Sequence, residues 1–551
     1  MPTPGPLRTF RDRRQWPVPV VPLRAGSRTL AEILESRAGL GGREFLVLPD
    51  ARLTYADADE LADRAASVLA DHGCGRGDIV MARCENGWAM VATWFACAKL
   101  GAIFMPVNAL LTGDPLRNVM AAAGARLAVC DASLLPSLEA VRSHLPALTT
   151  VLVAGSGPVA SRYPSFDRLV EAAPAVRPPA LDDDPGAPAK LMYTSGTTGH
   201  PKGVLWSRHC EATWAGAYVG LLGITEGEGA YCCLPLFHVT CQGTVLGTLL
   251  AGGRATIDAG FDAFRFWSRV RTADASVFTF VGTILAALAK RRERPDDADN
   301  PVRRILGAAA PTDLWREIER RFGVEIVETW GQTETASCWT SPPALPQRPG
   351  TVGRTNPRWE ARVVGPDGGG VPDGVEGELW MRPRQAHVMF EGYLGPDGVT
   401  DEAWTHDGWF RTGDLLVRDS QGDFAFRGRL REAIRRRGEM IAAGEIEAAA
   451  LAHPDVAEAA AVGVPAESWG EEEIKLSVVL APEAAVTAPA LLGHLAGRLP
   501  RFMVPRYIDL RAEMPKTPST RIQKYVLRDE GTTGAWDFRG RPDISTAVDP
   551  G

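Results

Sequence analysis

Residues 193–204 constrain this chain more than any other stretch. Tyr193 is followed by Thr194, Ser195, Gly196, Thr197, Thr198, Gly199, His200, Pro201, Lys202, Gly203 and Val204. From Thr194 on, four hydroxyls, three glycines and a lysine fall within eleven residues. Glycines let successive backbone N–H groups turn toward one point, and the hydroxyls and Lys202 add donors and positive charge. Such a loop suits a polyphosphate. The G-x-x-x-x-G-K-[ST] spacing of a Walker A loop is absent, so the lysine is placed differently. A flexible Ser/Thr/Gly linker is the alternative. The loop, however, sits tightly between strand-like runs at 189–193 and 204–206 and leaves through a Pro-Lys-Gly exit, and polar mid-domain loops of this kind usually carry function.

The surrounding pattern is that of an α/β protein. Strand-like runs at 78–82 and 127–130 alternate with helical ones at 61–69, 88–99 and near 134–145, which implies parallel sheets covered by helices. The apolar stretch 88–107 is interrupted by Lys99, Gly101 and Pro106, and reads as a buried helix followed by a strand rather than a membrane span. Between 350 and 430, Pro366-Asp367-Gly368 and Pro372-Asp373-Gly374 bound short runs and suggest an antiparallel β segment. A smaller mixed unit follows, helical at 446–451 and 488–499, with strands in 456–464 and 474–480. The expected organisation is a large N-terminal domain at 1–430, a small C-terminal domain at 431–530 and a Pro/Gly/Asp-rich tail at 531–551, read as surface or disordered.

Bulk properties narrow the function classes. The 551 residues allow several cores. A net charge of −7 gives no general attraction to nucleic acid or to an anionic membrane. The nine cysteines form no C-x-x-C pair, so neither zinc nor a disulfide framework is favoured, and a reducing cytoplasm is the simple expectation. The arginines at 8, 11, 13 and 14 stand among prolines and lack the apolar core of a secretory signal.

Further motifs occur in order: Lys99-Leu100-Gly101-Ala102-Ile103-Phe104-Met105-Pro106-Val107-Asn108; Trp330-Gly331-Gln332-Thr333-Glu334; Trp409-Phe410-Arg411-Thr412-Gly413-Asp414; Gly428-Arg429; Gly438-Glu439; and Glu445-Ile446-Glu447. With the 193–204 loop, this set resembles the adenylate-forming superfamily of acyl-CoA synthetases, peptide-synthetase adenylation domains and luciferases, over roughly residues 30–530. Within it the extended match is most similar to acid:CoA ligases of the carnitine/crotonobetaine and cinnamate types. The fold implied is a large AMP-binding domain of helix-covered mixed sheets with a small β-barrel-like segment, plus a small mobile α+β domain.

The resemblance implies ATP, Mg²⁺ and coenzyme A, and a role for each motif. Carboxylate activation needs a cradle for the leaving phosphates, a divalent metal and a clamp on the nucleoside. The loop of Thr194, Ser195, Gly196, Thr197, Thr198, Gly199 and Lys202 is the cradle. Glu334 would coordinate Mg²⁺, which takes one or two carboxylates beside phosphates and waters; Thr194 would share the metal and Thr333 would reach the phosphate. Ala308, Ala309 and Ala310 resemble the adenine-binding turn, where small residues let a flat ring lie on the backbone. Trp330, with Gly331 and Gln332, stands where the family usually has tyrosine, able to stack on adenine or wall the acyl pocket. Asp414 can accept both ribose hydroxyls, joined by Arg429 and Phe424. Phe237 and His238 resemble the segment that gates the carboxylate site; His238 is a polar wall, the gate itself, or a packed histidine at a helix start. Phe280, Val281, Gly282, Ala308 and Trp330 complete the expected pocket. Arg431 falls at the family's hinge, and Gly438 with Glu439 on the coenzyme A side.

One departure bears on the chemistry. The family closes on Pro-x-Thr-x-x-Gly-Lys, whose lysine bridges acyl carboxylate and ATP; this chain reads Pro515-Lys516-Thr517-Pro518-Ser519-Thr520-Arg521-Ile522-Gln523-Lys524. Arginine in place of lysine is not conservative. Either Arg521 does the work, or Lys524 swings in, or adenylation is impaired. The expected function is ATP-dependent activation of a small carboxylic acid to an acyl-adenylate and transfer to coenzyme A, with no nucleic-acid or membrane partner and a homodimer left open. The alternatives are transfer to an amine or carrier-protein thiol, and a nucleotide- or acyl-adenylate-binding protein that has lost adenylation. The small residues at 308–310 leave room for a bulky or cyclic acid.

Overall fold

The computed structural model describes residues 29–181, 184–194, 202–310, 312–335, 347–395, 398–430, 433–436, 439–466, 472–499, 503–516 and 522–539. Contacts divide the chain into two compact units, one of residues 1–361 with 381–410 and one of 362–380 with 411–551.

The first unit contains two seven-stranded sheets. One runs, edge to edge, Glu325–Glu328, Arg304–Ala308, Ala275–Val281, Gly229–Cys232, Arg254–Ile257, Glu44–Val47 and Arg52–Thr54. Every pairing in it is parallel except the last. The other runs Gly392–Leu394, Lys202–Ser207, Pro188–Thr194, Ile103–Pro106, Ile79–Arg83, Leu127–Asp131 and Thr150–Ala154. Its first two pairings are antiparallel and the rest parallel. The helices Tyr55–Asp71, Trp88–Leu100, Arg208–Leu222 and Val239–Ala251 pack on one another and on these strands. The alternating pattern of the sequence is realised as helix-covered, largely parallel sheets. Near 134–145 the helical run is shorter than expected, a helix at Leu135–Glu139 and a 3-10 turn at Arg142–His144.

The apolar run at 88–107 is the helix Trp88–Leu100, buried from Ala89 through Cys97, then the strand Ile103–Pro106. Lys99 is tolerated there because its ammonium meets Asp59 at 2.6 Å and Asp63 at 2.5 Å, all three side chains being buried. Among the described residues no helix is long and apolar enough to cross a membrane.

A second buried cation lies in the strand that leads into the loop. Lys190 is fully buried, with Nζ 2.6 Å from Glu211 and donating to Gln242 at 2.7 Å. It lies 4.5, 5.3 and 5.7 Å from the ring centres of Trp94, Trp206 and Trp214. Burial pulls the Lys190 ammonium below its ordinary pKa, and Glu211 pulls it back.

Phe410–Arg418 and Phe424–Arg429 pair antiparallel within a four-stranded sheet that also holds Trp359–Val364 and Glu376–Pro383. A hairpin of Ala433–Arg436 and Glu439–Ala442 follows. A second four-stranded sheet is ordered Val456–Pro465, Glu472–Leu480, Tyr507–Arg511 and Trp536–Asp537. Val456–Pro465 shows no polar alternation because both faces are covered. Ala459 and Ala461 join a core with Ile446, Leu491 and Ile508, while Ala460, Val462 and Val464 meet Met514 and Leu527. The described part of the expected tail, 531–539, lies largely at the surface: Trp536 and Asp537, both exposed, pair with Ile508 and Tyr507, Asp537 takes an ion pair from Arg506 at 3.0 Å, and Phe538 enters the core.

Replacing Lys190 by methionine leaves the buried Glu211 carboxylate with the Trp94 indole N–H at 2.8 Å but without its counter-charge, so Lys190→Met is expected to cost about 3 kcal/mol in urea unfolding. The double change Lys190→Met with Glu211→Gln recovers most of that loss. A single variant as stable as the wild type would contradict the pair's role.

Candidate active site

Parallel strands deliver their following residues to one edge, and four neighbours in the first sheet do so here. Thr279 is in register with Cys232, Val281 with Ala308, and Gly307 with Glu328. The carboxyl ends of these strands therefore present 233–238, 281–282, 308–310 and 329–334 side by side, where ligands bind in open α/β sheets. The expected groups Phe237 and His238, Val281 and Gly282, Ala308 to Ala310, and Trp330 to Glu334 are brought together by this register alone.

At this edge the backbone is closely packed. A Cβ on Gly282 would lie 1.9 Å from the Ala309 carbonyl oxygen, so only glycine fits. Ala309 has φ +60°, in the left-handed region, where a non-glycine residue stores strain. Beneath it is a residue that sequence reasoning missed. Glu328, only 7% exposed, accepts a hydrogen bond from the Ala310 N–H at 3.2 Å. Its own backbone is clamped by the Gln347 carboxamide, which accepts from the Glu328 N–H at 2.5 Å and donates to its carbonyl at 2.6 Å. Burial pushes the Glu328 carboxyl up to about 7. The signal available in the sequence was an acidic residue directly before Thr329-Trp330-Gly331, at the end of an otherwise buried strand.

Exposure separates the expected pocket residues. Ala308 is exposed and Val281 is 38% exposed, while Trp330 is buried. Phe280 is fully buried in a core cluster with Phe266, Phe278 and Ile284. His238 caps the helix Val239–Ala251 by position, without a side-chain cap bond, and its exposed ring lies 4.5 Å from that of Phe237.

The second sheet brings in the loop. Pro188–Thr194 and Lys202–Ser207 are antiparallel neighbours whose last Cα pair is Thr194 with Lys202. The loop thus leaves and re-enters at one sheet end. Ser195, Gly196, Thr197, Thr198 and Gly199 lie outside the described residues, as does the Thr194 side chain. Two bonds join the exit strand's surroundings to the Trp-Gly-Gln-Thr-Glu segment. Trp206 Nε1 donates to the Thr333 carbonyl at 2.7 Å, and Tyr393 donates its hydroxyl proton to Glu334 Oε1 at 2.8 Å. Glu334 is half-buried. Its donor set fits a hard cation that takes one carboxylate and completes its shell with substrate oxygens.

The second unit carries the other expected groups. Asp414 is 1% exposed and lies opposite Arg429 across the strand pair, with Oδ1 2.7 Å from the guanidinium Nε. The turn is fixed by Thr412, which donates to the Leu379 carbonyl at 2.7 Å, and by the Gly413 N–H on Glu378 at 2.9 Å. Phe424 is buried at the start of the partner strand. Lys524 begins the helix Lys524–Asp529 and lies 2.8 Å from Glu447 Oε1, which also accepts from the Ala461 N–H at 2.7 Å. Arg431, Gly438 and Arg521 lie outside the described residues, as does the Glu439 side chain.

A tight alanine turn at one strand edge, a carboxylate held by a tyrosine, and a strand pair in the other sheet that flanks a hydroxyl- and glycine-rich sequence are features expected of an enzyme that activates an acid on a nucleotide. The chain belongs to the AMP-binding enzyme family: that family's sequence model matches residues 34–394, and the model of the AMP-binding enzyme C-terminal domain matches 445–521. It is an adenylate-forming enzyme of the acid–CoA ligase type. Over 512 residues it is 34% identical to a sulfoacetate–CoA ligase of Cupriavidus necator, covering 91% of this chain and 97% of that one. To an indoleacetate–CoA ligase of Aromatoleum aromaticum it is 32% identical over 507 residues, with the same coverage. The crystal structure of an anthranilate CoA ligase with anthranoyl-AMP superposes with a TM-score of 0.82 at 25% identity, covering 92% of this chain and 97% of that one.

Burial raises the Glu328 pKa from 4.5 to about 7. The stability this group contributes is therefore complete below about pH 4.5 and is lost as pH rises through 7. Glu328→Gln keeps the shape without the charge. Its urea midpoint should match the wild type at about pH 4.5 and exceed it at about pH 8; parallel curves would show that Glu328 is not buried as described.

Proposed function

We propose that this enzyme joins a carboxylic acid to coenzyme A in two steps at the strand edge just described. The acid's oxygen attacks the α-phosphorus of ATP and pyrophosphate leaves; the coenzyme A thiol then attacks the acyl-adenylate carbonyl and AMP leaves. The observation that carries this reading is the convergence of 233–238, 281–282, 308–310 and 329–334 on one sheet edge by parallel register. Relatives named as CoA ligases, each covered over 97% of its length, favour coenzyme A over an amine or a carrier protein as the acceptor.

In this reading Ala308 to Ala310 receive the adenine, with Trp330, Gly331 and Gln332 beside it. Thr194 to Gly199 and Lys202 hold the phosphates, helped by Thr333, while Asp414, Phe424 and Arg429 serve the nucleoside. Mg²⁺, when bound, neutralises developing charge on the phosphates; Glu334 and Thr194 would hold it. Phe237, His238, Val281, Gly282, Ala308 and Trp330 border the acyl group. Arg431 is the hinge, and Gly438 with Glu439 flanks the entering thiol.

Arg521 is our choice for the cation of the adenylation step, because Lys524 is already engaged by Glu447 at 2.8 Å. Pyrophosphate release is measured with a panel that includes aryl, indolyl and sulfonated acids, and products are identified with and without coenzyme A. Arg521→Ala should lower acid-dependent pyrophosphate release at least about 100-fold while leaving thioester formation from supplied acyl-adenylate intact. Lys524→Ala should lose stability more than adenylation. The reverse pattern moves the role to Lys524, and AMP formation without coenzyme A consumption rejects the ligase reading.

A further inference from the structure

The segment 387–394 touches the candidate site at three points. Glu391 donates its N–H to the Leu205 carbonyl at 2.7 Å, and Phe390 donates its N–H to the Glu334 carbonyl at 2.8 Å. The strand Gly392–Leu394 then pairs antiparallel with Lys202–Ser207, placing Tyr393 opposite Val204. From this position Tyr393, itself only 7% exposed, reaches two groups. Its hydroxyl donates to Glu334 Oε1 at 2.8 Å, and its ring lies under Lys202, with Nζ 5.0 Å from the ring centre. One side chain thus sets the spacing between the loop's lysine and the carboxylate of the Trp-Gly-Gln-Thr-Glu segment.

We propose that Tyr393 is a positioning residue that makes Glu334 a one-oxygen ligand and thereby selects Mg²⁺ over Ca²⁺; this rests on Glu334 being the metal carboxylate. The argument is one of lone pairs and reach. The phenol takes one lone pair of Oε1, so a cation bound through both oxygens must share Oε1 with that proton, whereas one bound through Oε2 alone need not. Mg²⁺ accepts a single carboxylate oxygen in a tight octahedral shell, whereas Ca²⁺ prefers more oxygens, often both from one carboxylate. A hydrogen-bonded partner that orients a metal ligand commonly governs metal affinity 10–100-fold. The aromatic face under Lys202 adds an attraction that holds the ammonium beside the loop.

Binding of the unreactive α,β-methylene analogue of ATP to the full chain, followed by calorimetry in Mg²⁺, in Ca²⁺ and in EDTA, tests this. Tyr393→Phe removes one oxygen and keeps the ring. It should lower the affinity gained from Mg²⁺ about 10-fold and leave the gain from Ca²⁺ unchanged or larger, so the Mg²⁺/Ca²⁺ ratio falls; its EDTA affinity should match the wild type. Tyr393→Leu, which also removes the ring beneath Lys202, should in addition weaken binding in EDTA. Glu334→Gln should cancel the gain from either metal. An unchanged Mg²⁺/Ca²⁺ ratio in Tyr393→Phe, with Glu334→Gln behaving as stated, overturns the role of Tyr393 alone. A Glu334→Gln protein that keeps its Mg²⁺ gain overturns the metal assignment beneath it. Equal EDTA affinities for the Phe and Leu variants overturn the Lys202 half. Near-UV circular dichroism on each variant confirms the native fold.

Discussion

The parallel register of four strands is the constraint on which the rest depends. Gly229–Cys232, Ala275–Val281, Arg304–Ala308 and Glu325–Glu328 are short and bury most of their residues, so a slip of one residue would move core side chains such as Phe278, Ile305 and Ile326 to the opposite face of the sheet. The hydrophobic core therefore fixes where each strand ends, and the polar segments that follow inherit that position. Groups as far apart in sequence as His238 and Glu334 are brought together by apolar burial, with no direct attraction between them required.

On this scaffold, buried charges act as fixed points. Lys99 with Asp59 and Asp63 pins helix to helix, and Lys190 with Glu211 pins strand to helix, inside the first unit. Such pairs add little net stability over apolar packing, but a partner left alone is costly, so each permits only one arrangement of its surroundings. Lys190 shares Trp206 with the site: the indole packs near the ammonium and gives its N–H to the Thr333 carbonyl. The strand leaving the loop and the segment bearing Glu334 are thereby referred to the same buried anchor.

Much of this was legible in the sequence. Period and turn signals located the helix at 88–100, the strands flanking the loop, and the helices and strands between 443 and 496, because those elements follow local propensity and burial. Motif order located the strand-edge groups. Other features were hidden because they depend on partners distant in sequence. Tyr393 gains meaning only when its strand pairs with Lys202–Ser207, and Glu328 only when a neighbouring strand carries Ala310 over it. Phe280 could not be told from Val281 until the strand's facing was known. The segment at 531–539 looked like tail because its polar composition gives no hint that Trp536 and Asp537 complete a sheet edge. Arg521 is a chemical departure on which local pattern is silent.

The contact between Gly282 and Ala309 has a consequence for redesign. Two backbones meet there with no side chain between them, and the turn they form is already strained at Ala309 and held from below by Glu328. Gly282 cannot be padded to shrink the neighbouring space, and Ala309 has only a methyl to give up. Engineers seeking a different acid would have to work through the exposed side chains around that rigid floor, Val281 and His238 first, and could treat the floor itself as a fixed jig against which new acyl groups are fitted.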